Sequence, residues 1–116
     1  MTETDCIFCK IAAGEVSSDR VYKDDRVTAF RDINPAAPVH ILIVPNRHIA
    51  SVNELEAEDR DLAGHLLLTA RKLAEQEGIA RDGYRLILNT GRHGGQEVHH
   101  LHLHLLGGRR MQHPMG

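Results

Sequence analysis

The sequence is poor in aromatic residues and has no strong excess of charge of either sign. It contains no tryptophan, two tyrosines and two phenylalanines, so a core has to be built mainly from aliphatic side chains. Its formal net charge is −2 with neutral histidines, which gives no electrostatic argument for a nucleic-acid or membrane-surface partner. No apolar run approaches the ~18 residues of a membrane span.

The N-terminus and the cysteines indicate a cytoplasmic protein. Residues 1–5 include two acidic side chains and lack the apolar segment of a signal peptide. Cys6 and Cys9 are the only cysteines. In a reducing compartment a structural disulfide is not expected, so their C-x-x-C spacing predicts half a metal site or a redox pair.

The length of 116 residues predicts a single domain over 1–116, and the hydrophobic pattern gives it an α+β fold. A short helical turn is expected at the start, ending near Gly14, and a long amphipathic helix runs from Ser51 or Glu56 to Glu77. The predicted strands are 20–23, 27–30, 40–44 and 84–89, followed by a histidine-rich strand within 97–106. This order favours an antiparallel sheet with one main helix packed on it.

The histidine-rich strand is the most informative stretch. His100, His102 and His104 alternate with leucines, so a strand puts the imidazoles on one face and the leucines on the other. A buried imidazole without a partner costs free energy, so this face is interpreted as an active site, a metal site or both. Rings two residues apart lie ~6.6–6.8 Å apart along the strand, a spacing that suits flanking a phosphate better than sharing one metal ion.

Three other features accompany these histidines. A loop with three glycines, residues 91–96, can bring backbone amides close to anionic oxygens, although hairpin loops are commonly glycine-rich. His40 begins a buried strand and His48 follows it. Cys6 and Cys9 together with two histidines would complete a tetrahedral zinc site.

The stretch from His100 to Leu106 matches the His-φ-His-φ-His-φ-φ signature of the histidine triad (HIT) family. The resemblance extends over essentially the whole chain and is greatest to the Hint-like branch, the purine nucleoside phosphoramidases. The further segments that resemble this branch, in its order and spacing, are 6–11, 27–33, 38–45, 47–49, 94–96 and 106–109.

The resemblance implies a five-stranded antiparallel sheet with one long helix and a short N-terminal helix, and a homodimer that shares one continuous sheet. It implies hydrolysis of the P–N bond of adenosine or guanosine 5′-phosphoramidates and of related aminoacyl adenylates. His102 would attack the α-phosphorus and form a covalent nucleotidyl-histidine. His104 would contact the phosphate or leaving group, and His40 would orient the triad. No divalent cation is expected to be needed for catalysis.

The resemblance also implies binding residues. Asp32 would hold the ribose hydroxyls, and Asn89 and Gln96 would hold ribose or phosphate. The whole implied nucleotide-binding set is Ile7, Phe8, Ile11, Phe30, Asp32, Ile33, Asn89, Gln96 and Val98. A structural zinc ion would be held by Cys6, Cys9, His48 and His100. His99 is the alternative to His100, but strand parity places it on the leucine side.

Three positions depart from the common pattern of the branch. Glu97 stands where a serine often assists the leaving group, His99 replaces a tyrosine, and His113 replaces a tryptophan. These departures leave the leaving-group preference open. The alternative functions are a diadenosine-polyphosphate hydrolase or nucleotidyl transferase of the same superfamily, and a zinc-containing nucleotide-binding interaction protein. A third triad histidine at His104 favours hydrolysis over transfer, since transferases usually have glutamine there.

Overall fold

Residues 5–115 of the computed structural model are described here. Residues 1–4 and 116 lie outside this range. The expectation that the N-terminus is not a signal peptide depends mostly on residues 1–4 and stays a prediction. A five-stranded antiparallel sheet is flanked by a short helix and a long one. The helices and strands are α1 (Ile7–Ala12), β1 (Arg20–Lys23), β2 (Val27–Arg31), β3 (Val39–Pro45), α2 (Arg60–Gln76), β4 (Tyr84–Ile87) and β5 (Leu103–Gly107).

The strands are arranged β1-β2-β3-β5-β4, so the buried strand β3 is central and β4 forms one edge. Every neighbouring pair is antiparallel. The pairing of β3 with β5 sets Leu42 opposite His104 and Ile43 opposite Leu103. The predicted α+β fold, with its antiparallel sheet, one long helix and a short N-terminal helix, is confirmed.

The two faces of the sheet carry different cores. One face packs against α2 and contributes Ile41, Ile43, Leu101, Leu103 and Leu105 to a cluster of aliphatic side chains. The opposite face carries a smaller cluster formed by Cys6, Phe8, Phe30, Leu42 and Val44. Because side chains alternate along a strand, the imidazoles at even positions lie on the second face, beneath α1.

Three predicted elements are shorter in the structure than the sequence suggested. The long helix begins at Arg60, and two 3-10 turns, Val52–Glu54 and Ala57–Asp59, precede it. Local caps cause this break: Ser51 Oγ accepts a hydrogen bond from the Asn53 amide, and Glu56 and Asp59 form a reciprocal capping box.

The histidine-rich strand is also shorter than predicted, because β5 starts only at Leu103. His100 and His102 therefore precede the strand, although they keep its alternation of buried faces. The Leu101 amide donates to Ile49 O at 2.7 Å, so this segment is held by a loop instead of a strand partner. The predicted strand 84–89 ends at Ile87. Among residues 5–115, no helix has both the length and the apolar character needed to cross a bilayer.

Candidate active site and metal cluster

His102 is fixed in one orientation by its own backbone neighbourhood. Its Nδ1 lies 2.7 Å from the carbonyl oxygen of His100. A carbonyl only accepts, so Nδ1 carries the proton and the Nε2 of the neutral ring has a free lone pair. The Phe8 ring packs edge-on against this imidazole, with centroids 5.1 Å apart. The arrangement presents an unprotonated nitrogen, which is the form required of a nucleophile or general base.

His104 is oriented by a chain of hydrogen bonds that begins in the proline-rich loop. The Ala36 amide donates to His40 Nδ1 at 3.0 Å, so the proton of the neutral His40 ring is on Nε2. That Nε2 is 3.0 Å from His104 Nδ1 and donates to it. The proton of His104 is therefore on Nε2, the atom pointing away from His40. Thus His102 offers a lone pair and its neighbour His104 offers an N–H.

Burial keeps this pair of imidazoles neutral. Burial, together with the smaller effects of the nearby His102 and His40 rings, lowers the pKa of His104 to about 4. Burial also lowers the pKa of His40, and the opposing effect of the Asp32 carboxylate, 3.5 Å from His40 Nε2, is smaller. Near neutral pH, the hydrogen bond from His40 to His104 therefore joins two uncharged rings.

A cavity of about 560 Å³ opens beside His102 and His104. One wall is apolar, and several polar side chains lie around it, including Asp32, whose Oδ1 accepts from the Asn34 amide at 2.9 Å. The cavity is of a size typical for small-molecule sites. The sequence-predicted residues that line it are Ile7, Phe8, Ile11, Phe30, Asp32, Ile33, His40, Asn89, Val98, His102 and His104.

Some residues of the cavity were not identified from the sequence. Leu42 lines it because its strand β3 places the even positions on this face, and that signal was present in the predicted strand. The segment from Val16 to Asp19 also lines it, although no motif marks these residues. Glu97, noted in the sequence only as a departure, stands on the wall as well.

Gln96 is the one predicted binding residue that the structure does not bring to the cavity. Its Oε1 accepts from the Gly91 amide at 3.0 Å, and its Nε2 donates to Ala50 O at 2.7 Å and Val98 O at 3.0 Å. The side chain is buried and both of its polar groups are engaged by backbone. In this position the side chain supports the glycine-rich loop and does not face the substrate cavity.

The four predicted metal ligands meet at one point under α1. The ligand atoms of Cys6, Cys9, His48 and His100 all lie within 4.8 Å of one another. His100 Nδ1 is 3.3 Å from Cys6 Sγ and 3.4 Å from Cys9 Sγ, and His48 Nδ1 is 3.2 Å from Cys9 Sγ. Two thiols and two imidazoles at such separations match the donor set and compactness of a tetrahedral site.

The histidine tautomer also fits a metal site. His100 Nε2 lies 2.8 Å from the Pro45 carbonyl oxygen and must donate to it, so Nδ1 has its lone pair directed at the thiols. Burial lowers the pKa of His100, which keeps the ring in the neutral form that metal binding requires. His99 is exposed and is not a member of the cluster.

A second group of potential ligand atoms, from Asp32, His40 and His104, also lies within 4.8 Å. Its chemistry does not suit a cation. His40 Nδ1 is occupied as an acceptor of the Ala36 amide, so the facing Nε2 carries a proton and has no lone pair to offer. This group is therefore a hydrogen-bonded relay, whereas the thiol and imidazole ligand atoms of the cysteine cluster are directed at one another.

An antiparallel sheet carrying nucleophile-competent and donor histidines on one face, under an N-terminal helix, is the architecture of the histidine triad class. The family model of the HIT domain matches residues 13–111. The chain belongs to the HIT family, as the resemblance predicted, and it is a hydrolase of this family.

Known relatives cover almost the whole chain. A purine nucleoside phosphoramidase from Escherichia coli K12 is 63% identical over 103 residues, covering 89% of this chain and 87% of that protein. A HIT-like protein from Synechococcus elongatus is 54% identical over 112 residues, covering 97% of both chains. The crystal structure of a HIT family hydrolase from Legionella pneumophila superposes with a TM-score of 0.94 at 51% identity, covering 97% of this chain and 100% of that one.

Proposed function

We propose that this protein hydrolyses the P–N bond of adenosine and guanosine 5′-phosphoramidates, and related aminoacyl adenylates, through a covalent nucleotidyl-histidine on His102. The observation that carries the proposal is the 2.7 Å contact of His102 Nδ1 with the His100 carbonyl, which leaves Nε2 unprotonated beside the cavity. The name of the Escherichia coli relative supports the same substrate class.

The apolar wall of the cavity suits a purine base. Phe8, Phe30 and Leu42 are buried against one another at its back, with the two phenylalanine rings edge-to-face at 5.3 Å. Asp32 would accept hydrogen bonds from the ribose hydroxyls through its Oδ2, since Oδ1 is already occupied by the Asn34 amide. Asn89, which also lines the cavity, would hold ribose or phosphate. This places the α-phosphorus between the base pocket and His102.

The reaction then proceeds in two displacements. His102 Nε2 forms a bond to the α-phosphorus while the P–N bond of the substrate breaks, and the departing amine, which accepts a hydrogen bond from His104 Nε2–H, takes its proton from solvent. Water then attacks the nucleotidyl-imidazole, the bond between phosphorus and His102 breaks, one proton of the water is released to solvent, and the nucleoside monophosphate leaves. Each step uses a neutral imidazole in the tautomer derived from its hydrogen bonds.

The relay behind His104 makes it a directed donor. His40 Nε2–H donates to His104 Nδ1 at 3.0 Å and so holds the ring of His104 with its own Nε2–H directed at the departing nitrogen. The Asp32 carboxylate, 3.5 Å from the same His40 nitrogen, attracts this N–H and helps to fix the tautomer of His40. Amides and imidazoles would bind the non-bridging oxygens, so we expect turnover without added magnesium.

The decisive assay compares substrates and a triad variant. Purified protein is incubated with an adenosine phosphoramidate and, separately, with diadenosine polyphosphates. We expect faster turnover of the phosphoramidate, and His102→Ala should lower it by at least ~10³-fold, as removal of a nucleophile does. Unchanged phosphoramidate turnover in His102→Ala would exclude the covalent mechanism. Preferential cleavage of the dinucleotide would favour the alternative hydrolase, and no turnover of either would favour a binding protein.

We further propose that Cys6, Cys9, His48 and His100 hold a structural zinc ion. The support is the compact donor set and the tautomer of His100. Bound zinc would supply a cross-link between α1, the loop after β3 and the segment before β5, because four protein ligands leave no open position for substrate. Metal analysis should find about one zinc per chain in the parent protein and little in Cys9→Ser. A parent protein without zinc would refute the assignment.

We also propose a homodimer. The support is the unpaired edge strand β4 and the exposed apolar side chains near it and on α2, Leu86, Leu88, Leu67 and Leu68. Sedimentation of the parent protein should give the mass of two chains, and Leu68→Asp or Leu88→Asp should shift it toward one. A monomeric parent protein at micromolar concentration would contradict the proposal.

A further inference from the structure

A second recess lies next to His104, lined partly by residues that the nucleotide cavity does not use. Its volume is about 270 Å³, and it shares His40, Asn89 and His104 with the larger cavity. Its other walls include the side chains of Arg85 and Arg109. His104 therefore stands between a mostly apolar cavity and a basic recess.

The charged side chains that line the recess are all positive. Among the described residues that line it, none has a carboxylate. Within residues 5–115, neither Arg85 nor Arg109 takes part in an ion pair with an acidic side chain, whereas Arg31 and Arg47 are paired with Glu77 and Asp59. Two guanidinium groups without acidic partners on a concave wall create a positive potential at that wall.

Both arginines are positioned by hydrogen bonds to backbone carbonyls, and each has further N–H groups that these bonds do not use. Arg85 Nη1 donates to His113 O at 2.7 Å. Arg109 Nη2 donates to Ala36 O at 2.7 Å, and its Nη1 donates to Arg110 O at 3.2 Å. A guanidinium has five N–H donors, so each side chain is oriented and still able to bind an anion. Asp82 and Glu77 border a neighbouring groove that the two arginines also line.

We propose that this recess binds an anionic substituent of the leaving group, namely the carboxylate of an amino-acid amine attached to the phosphorus. The inference rests on the proposed P–N hydrolysis. With the nucleoside in the larger cavity and His104 Nε2–H at the departing nitrogen, the rest of the leaving group extends into the recess. Arg85 is then a specificity-determining residue that binds the leaving-group anion.

The test measures kcat/KM for four adenosine phosphoramidates: unsubstituted, glycine, glycinamide and aminomethylphosphonate. Glycine and glycinamide differ in charge and scarcely in size. The parent protein should prefer glycine by about 10-fold, the effect of one hydrogen-bonded charge pair that is partly exposed. Arg85→Gln should bring this ratio close to 1, mainly through KM, and Arg85→Lys should retain part of it.

The matched control is Arg26→Gln, in the exposed turn between β1 and β2 at the other edge of the sheet, which should keep the parent ratio. Arg109 is a poorer test site, because its bond to Ala36 O also supports the loop that orients His40. A variant of Arg109 would therefore change the donor function of His104 together with the preference for anions.

The outcomes separate the hypotheses. Equal rates for glycine and glycinamide in the parent protein, or an equal loss of both in Arg85→Gln, would overturn the anionic subsite. A preference for aminomethylphosphonate over glycine would overturn the choice of a carboxylate in favour of a phosphate-like group. Failure to cleave even the unsubstituted phosphoramidate would refute the proposed function itself, whereas its cleavage without any preference would refute only this subsite.

Discussion

Replacing Gln96 tests whether this side chain supports the glycine-rich loop or binds substrate. It makes three hydrogen bonds to backbone and none toward the cavity, so we expect the structural role. Each such bond contributes about 1 kcal/mol net. Gln96→Ala should therefore lower the free energy of unfolding by about 2–3 kcal/mol, with the smaller value applying where water replaces part of the network. A domain of ordinary stability would remain folded after this loss.

The isosteric change Gln96→Glu should cost more than Gln96→Ala at pH 8. A carboxylate cannot donate, so it would face the Ala50 and Val98 carbonyl oxygens with a negative charge. The folded state would therefore raise the pKa of the introduced carboxyl above its unfolded value of ~4.3. Its penalty is complete above the folded pKa and is relieved as the pH falls toward the unfolded value, so the gap between the two variants should narrow at pH 5.

The assay is urea unfolding of both variants at pH 8 and pH 5, with AMP binding measured under native conditions. Gln76→Ala, an exposed glutamine at the end of α2, is the control and should change stability by less than ~0.5 kcal/mol. If Gln96→Ala keeps the parent unfolding curve and loses AMP affinity, the structural role is refuted and the ligand role is restored.

Three further predictions concern stability. Burial lowers the pKa of His104 to about 4, so lowering the pH from 7 to 4.5 protonates this histidine mainly in the unfolded chain and reduces the free energy of unfolding. His104→Gln should remove about 1–2 kcal/mol of that loss, as measured by urea titrations at the two pH values. Arg31→Gln, which breaks the bidentate pair with Glu77 at 2.8 and 3.0 Å, should cost about 1 kcal/mol, and a double-mutant cycle should assign it to this pair. Phe8→Ala should cost about 3 kcal/mol and weaken AMP binding, as thermal unfolding and calorimetry would show.

The fold was predictable wherever periodicity reflects burial on one face. The alternation around His102 identified both faces of the last strand, and the apolar run of β3 identified the central strand. The break before α2 was not predictable from periodicity. Ser51 and Glu56 read as possible helix starts, yet each caps a separate 3-10 turn, and only tertiary packing decides where the continuous helix begins.

The candidate site was likewise predictable only in part. Residue type and position sufficed to propose which histidines face the cavity and which meet the cysteines, because alternation and the family pattern determine these. Hydrogen-bond direction was not available from the sequence. Gln96 has the chemistry of a phosphate ligand, but the glycine-rich loop turns its amide toward Gly91 and Val98. Likewise Arg85 and Arg109 lie far apart in the sequence, and no local motif unites them.

The three triad histidines differ because each ring meets a different partner, and His100 links two of these roles. Its side chain donates from Nε2 to Pro45 and directs Nδ1 at the thiols. Its backbone carbonyl accepts from His102 and thereby exposes the opposite nitrogen of that ring. A shift of the cysteine cluster would therefore move the acceptor that sets the tautomer of His102. Through His100, the geometry of the cysteine cluster is coupled to the orientation of the proposed nucleophile, in addition to the direct packing of Phe8 on His102.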